Sequence, residues 1–225
     1  MFLIPLYDDS PLRGISFGTY ALILACTAIF LFQKGLPQLE AERMVYAYGM
    51  IPALLLGHLS APADLQGPPI PLTLLTWMFL HGSWWHILGN ALFFWVFGNN
   101  IEDSMGPGRF LVFYLTCGLV AAATDILAQP SSPIPTVGAS GAIAGVLGAY
   151  LVLYPKVRVN MLFIFVIFFK GAAGSLKFWI DEPCLRSRAY SSALRYAVDA
   201  MPMLCSPTPM RAKFIKRNIW RMPWC

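Results

Sequence analysis

Charge is what this chain has least of. Only 12% of its 225 residues are Asp, Glu, Lys or Arg, against about 25% in ordinary soluble domains. Histidine is rarer still: there are three, His58, His81 and His86, and none follows residue 86. The five cysteines (Cys26, Cys117, Cys184, Cys205, Cys225) show neither metal-ligand nor redox spacing, so no metal site and no cofactor are expected. Cys225 lacks the three further residues of a prenylation box. A basic n-region is missing from residues 1–13, and no small-residue cleavage site follows the first apolar run. That run therefore reads as a retained helix and not as a signal peptide.

What fills the chain is apolar: 57% of residues are hydrophobic. Gly14 to Gln33 is a stretch of 20 residues without a charge, about 30 Å as a helix and enough to cross a bilayer core. Leu65–Ile101 and Ile126–Pro155 are further charge-free runs, and Phe110–Thr124 is a shorter one ended by Asp125. The fold class implied is an all-α, polytopic membrane protein, with helices expected near 15–33, 84–101, 107–128 and 138–155. The bilayer is then the chain's surroundings, and no nucleic-acid partner is expected. The connection at 34–83 holds polar and prolyl residues. Within it, Met44–Gly57 is apolar but short, as for an interfacial or re-entrant piece, and residues 159–169 are apolar but too few to cross alone.

Loop charges orient the helices. Arg13, Arg109, Lys156 and Arg158 fall on one side and Lys34 and Arg43 on the other. The positive-inside rule then places the N-terminus in the cytoplasm and the start of the fourth helix toward the outer face. After Lys170 the character changes. Residues 1–170 carry 7 Lys/Arg and 8 Asp/Glu, net −1, whereas residues 171–225 carry 9 and 3, net +6. The expected organisation is a membrane domain at 1–170 and a basic tail at 171–225. An out-of-frame reading or a disordered tail would each account for the switch. So would a divergent tail whose stripe Leu185, Ala189, Ala193, Tyr196 and Ala200, beside Arg186, Arg188 and Arg195, lies on an anionic membrane face.

Polar residues inside the apolar runs are the functional candidates. His86 and Asn90 are four apart and share one helix face; an interhelical hydrogen bond that glues two helices is the alternative. His81, at the helix entrance, reads as an interfacial or structural residue. Ser140 lies in a small-residue stripe, with Gly141, Ala144, Gly145 and Gly148, and such a serine is often only a packing residue. Yet Pro130, Pro133 and Pro135 break the chain just before it, so Ser140 falls in the first turn of its helix. There the free N–H groups and the helix dipole suit an oxyanion.

The segments HGSWWHILGNALFFWVFGNNIEDSMGPGRFLVFYLTCGLVAA and GASGAIAGVLGAYLVLYP together resemble the rhomboid family of intramembrane serine proteases, over roughly residues 10–170. The resemblance rests on H-x-x-x-N (His86, Asn90), the G-x-x-x-E turn ending at Glu102, and G-A-S-G around Ser140, in order and at family distances. It implies a rhomboid-type helical bundle in a cellular membrane, the inner membrane if the cell is bacterial, cleaving transmembrane protein substrates. By that resemblance Ser140 is the nucleophile, and His86 and Asn90 stabilise the oxyanion with the Ser140 N–H. Gly138 shapes the loop before the nucleophile, Gly141 and Gly145 let helices pack, and Glu102 is structural on the cytoplasmic turn. The family completes its Ser–His dyad with a histidine on a sixth helix. This sequence shows neither a fifth nor a sixth helix and no such histidine, so a non-catalytic rhomboid-like protein that binds transmembrane helices is the alternative reading.

Overall fold

The computed structural model describes residues 2–8, 14–62, 64–155, 157, 159–167 and 170–178. Four longer helices form its body: α1 (Phe17–Gly35), α5 (Trp84–Met105), α6 (Pro107–Ala128) and α7 (Ser140–Leu153). Between α1 and α5 run α2 (Gln38–Tyr48), the one-turn helices α3 (Pro52–Leu55) and α4 (Thr73–Thr76), and 3-10 turns at Ile70–Leu72 and Trp77–Phe79. The helical class read from the sequence holds. Helices α1 and α6 are long and apolar enough to cross a membrane, and α7 is a shorter apolar helix. Its 14 residues reach only about 21 Å, against the 18 residues the sequence suggested.

Local chemistry sets the helix ends. Ser83 caps α5, its hydroxyl accepting from the His86 N–H at 3.2 Å, which satisfies one of the orphan donors of the first turn. Gly106 adopts φ +82° between α5 and α6, and Pro107 opens α6. A left-handed glycine ends one helix and a proline at the first position starts the next, so a single residue makes the turn.

The core lies where α5, α6 and α7 meet. Phe94 stacks on Phe110 at 5.8 Å, and Phe97 meets Tyr150 edge-on at 4.8 Å. Two glycines allow the close approach. A Cβ on Gly145 would collide with Cys117 of α6, and one on Gly118 with the Met78 sulfur. Of the small-residue stripe on α7, Gly145 therefore faces α6, whereas Gly148 has nothing within 4 Å among the described residues. The outward faces of α1 and α6 carry Phe17, Leu24, Phe32, Val112, Val120 and Leu127, all exposed. Such a surface suits hydrocarbon, which satisfies no polar groups, better than water.

One addition was not anticipated. Segments β1 (Phe2–Asp8), β2 (Val159–Ile167) and β3 (Lys170–Phe178) form an antiparallel sheet in the order β1-β2-β3, with Phe2 opposite Ile164 and Val159 opposite Phe178. Of the apolar segment at 159–169, too short to cross as a helix, residues 159–167 pair as a strand. The expected basic tail, 171–225, lies outside the described residues apart from its part of β3, and so does the stripe from Leu185 to Ala200.

Candidate active site

Ser140 is the first residue of α7 and is only 9% exposed. Its approach is held by the long connection on two rungs. Met50 and Thr136 exchange backbone hydrogen bonds of 3.0 and 2.8 Å, and the Gly138 N–H donates to the Trp77 carbonyl at 2.9 Å. Gly138 itself has φ +127°, a conformation open to glycine at little cost. Space forbids a side chain there as well. A Cβ on Gly138 would stand 2.5 Å from Cε1 and Nε2 of His86 and 3.7 Å from the Ser140 Oγ. With no methyl there, the His86 ring and the serine hydroxyl both border the space at Gly138. The first turn of α7 also presents backbone N–H groups without intrahelical acceptors, at the positive end of its dipole.

His86 sits in the first turn of α5 and is 2% exposed. Its Nε2 is buried with no hydrogen-bond partner among the described residues. A buried orphan of this kind costs about 1–3 kcal/mol, so the site carries an unmet capacity to bond something polar. Asn90, one turn further along α5, is spoken for: its Nδ2 lies 3.0 Å from the Nε2 of His81. His81 is fully buried, its Nδ1 is 3.3 Å from the Phe79 carbonyl, and its ring meets that of His86 edge-on at 5.1 Å. Burial, then the neighbouring His86 charge, holds its pKa down at about 4, against a smaller upward pull from the Phe79 carbonyl. It is neutral at pH 7.

Of the sequence-predicted residues, His86, Asn90, Gly138 and Ser140 lie in one buried cluster. Gly138 joins His86 to Ser140, and His81 joins His86 to Asn90. His81 reads from sequence as interfacial or structural; its structural role is plain, but its bond to Asn90 was not visible. Residue 81 lies outside the α5 helix, so no helical spacing connects it to position 90. Its place within the charge-free run 65–101 was the available signal, since a histidine there needs a partner.

The other residues singled out have mechanical parts. Glu102, 3% exposed, accepts hydrogen bonds from the Gly18 N–H at 2.7 Å, the Thr19 N–H at 2.7 Å and the Thr19 hydroxyl at 2.8 Å. Gly145 seats α7 against α6, and Gly141 is buried.

Comparison with known proteins points to one family. A model of the Rhomboid domain matches residues 71–180. Over those residues the chain is similar to the rhomboid family. Rhomboid protease GluP of Bacillus subtilis is 42% identical over 78 residues, 35% of this chain and 15% of that protein. Rhomboid protein 1, mitochondrial, of Saccharomyces cerevisiae is 31% identical over 93 residues, covering 40% and 27% respectively. The putative rhomboid protease YdcA of Bacillus subtilis is 35% identical over 78 residues, covering 35% and 39%. The chain therefore spans well under half the length of each of these rhomboid relatives. Rhomboids are membrane-embedded, in keeping with the two long apolar helices here.

Proposed function

We propose that this chain carries the nucleophile side of a rhomboid-type intramembrane serine endopeptidase site and, as the 225-residue polypeptide, engages transmembrane segments there without hydrolysing them. The observation that carries this reading is that the Ser140 hydroxyl and the His86 ring both border Gly138, in a sequence whose three histidines all precede the serine.

In the reaction this site would serve, the Ser140 Oγ attacks the carbonyl carbon of a peptide bond in an unwound transmembrane segment. The carbonyl oxygen, now negative, is held by the Ser140 N–H, the His86 ring and the Asn90 amide. The serine proton needs a base, because a neutral hydroxyl is a poor nucleophile. His86 is occupied with the oxyanion in this assignment, and His81 is committed to Asn90 and Phe79. Losing one member of such a unit costs on the order of 10⁴–10⁶ in rate. Substrates of this class are single-pass proteins with helix-destabilising residues near the outer membrane face, where the charge bias places the start of α7.

The test is to reconstitute the chain with a single-span substrate carrying one cysteine, and to crosslink it to a Ser140→Cys version. A crosslinked pair, with no cleavage fragment from the Ser140 version, is expected. Fragments that vanish in Ser140→Ala would show that the chain supplies a base after all. Absence of any crosslink would remove the binding reading.

A further inference from the structure

We infer that His81 is a positioning residue for Asn90: as the Nδ1–H tautomer it fixes which end of the Asn90 amide can serve the Ser140 site. The inference rests on the reading of Asn90 as an oxyanion donor.

The reasoning starts at Phe79. Its carbonyl offers only lone pairs, so the His81 Nδ1 facing it at 3.3 Å must carry the ring's proton. In a neutral imidazole the other nitrogen is then bare and can only accept. The Asn90 atom 3.0 Å from the His81 Nε2 is therefore the NH2 and not the carbonyl oxygen. One of its two hydrogens is given to His81, and the second remains for a negatively charged oxygen. An amide without this partner is free to turn by half a rotation and present its oxygen, which would repel an oxyanion. The Phe79 carbonyl, two residues before His81, thus decides through the ring what Asn90 offers. The relay is rigid: His81 is fully buried and Asn90 is 6% exposed, so neither group has water to exchange with.

Protonation would reverse the setting. A doubly protonated His81 donates from both nitrogens, so its Nε2–H would turn the Asn90 oxygen toward itself and the NH2 away. The groups that share the small cavity at His81 are Cys26 of α1, Asn90 of α5 and Tyr114 of α6, together with apolar residues that include Ala139 and Ile143 from α7. With His86 in ring contact, no carboxylate is among these neighbours to stabilise a charged ring. The relay is therefore set for neutral pH and lost in acid.

The experiment uses the full 225-residue chain in detergent micelles with ¹⁵N-labelled histidine, its three histidines being assigned by single substitutions. His81 should show a protonated Nδ1 and a bare Nε2, and the Nε2 resonance should move in Asn90→Leu. In parallel, His81→Gln places an acceptor oxygen near the position of Nε2 and should keep the unfolding equilibrium within about twofold. His81→Phe should shift it roughly five- to tenfold toward the unfolded state, the worth of one buried hydrogen bond. A protonated Nε2 at neutral pH, or a resonance indifferent to Asn90→Leu, overturns the inference, and so does a His81→Gln variant as damaged as His81→Phe. None of these readouts depends on hydrolysis, so failure of the Ser140 assignment would leave them unchanged and be recognised separately.

Discussion

Glu102, in the last turn of α5, caps the first turn of α1 by accepting from both the N–H and the hydroxyl of Thr19. The two residues are 83 positions apart in sequence, yet the carboxylate does what a neighbouring Asp or Ser does in an ordinary N-cap. Gly18 gives it room: a Cβ there would come within 3.0 Å of a carboxylate oxygen. A buried carboxylate survives in this place because three donors and the positive end of a helix dipole surround it.

Replacing Glu102 by Gln should therefore destabilise the bundle by about 1.5–3 kcal/mol, the range for hydrogen bonds to a charged group. The amide keeps one acceptor oxygen and turns an NH2 toward backbone N–H donors. Unfolding of the purified protein in mixed micelles measures it. A loss under a few tenths of a kcal/mol would mean the cap is not formed in solution.

Two glycines of α7 give a matched pair. Gly145→Ala must displace Cys117 and should cost about 1–3 kcal/mol, as overpacking does. Gly148→Ala meets nothing within 4 Å among the described residues and should be neutral or stabilise the helix by up to about 1 kcal/mol. Equal effects at the two positions would contradict the packing of α7 on α6.

The chain as it stands should not react with a fluorophosphonate, a reagent for activated serines. Labelling should be no greater than in Ser140→Ala, because the proposed reading gives His86 to the oxyanion and assigns no described residue to the serine proton. Ser140-dependent labelling would point to His86 as a base, since its ring and the hydroxyl both border Gly138.

The legible parts of the fold were those governed by long-range monotony. Charge-free runs located α1, α6 and most of α5, and the proline-rich stretch before Gly138 located the start of α7. The 34–83 connection was legible only as a stretch without a span, because its pieces obey no single period. Met44–Gly57, read as one apolar unit, is divided between the end of α2, an extended Gly49–Ile51 and the one-turn α3. At the site, His86 and Asn90 could be named from spacing and Ser140 from its place behind the prolines, whereas Glu102 stood out only through the rhomboid resemblance. Their actual partners could not be named, because the His81–Asn90 and Glu102–Thr19 bonds join different elements and leave no periodic trace.

Acid should weaken the protein through His81. Its folded pKa is held at about 4 against an ordinary 6.5, so between these values the unfolded chain binds a proton that the folded one refuses. Stability is then complete above pH 6.5, falls as the pH drops toward 4, and loses nothing further from this group below that. His81→Gln should flatten the slope in that window. An unchanged slope would assign the acid sensitivity to another group.

Orientation can be tested with single cysteines at Ser60 and Val157 in a background without the native ones. Position 60 should label from outside the cell and position 157 only after the membrane is opened, as the loop charges imply. Labelling of both from one side would refute the arrangement.

The two rungs that tie the approach to Ser140, Met50 with Thr136 and Trp77 with Gly138, make Ser140 a passenger of the connection between α1 and α5. Both rungs are backbone bonds, so substitutions that keep the chain path leave them intact, whereas a cut or an insertion between residues 50 and 77 reaches both at once. A strain entering through that connection would arrive at Ser140 before it bent any of the four long helices. The position of Ser140 is thereby set by backbone groups at residues 50 and 77, outside the helix that carries it.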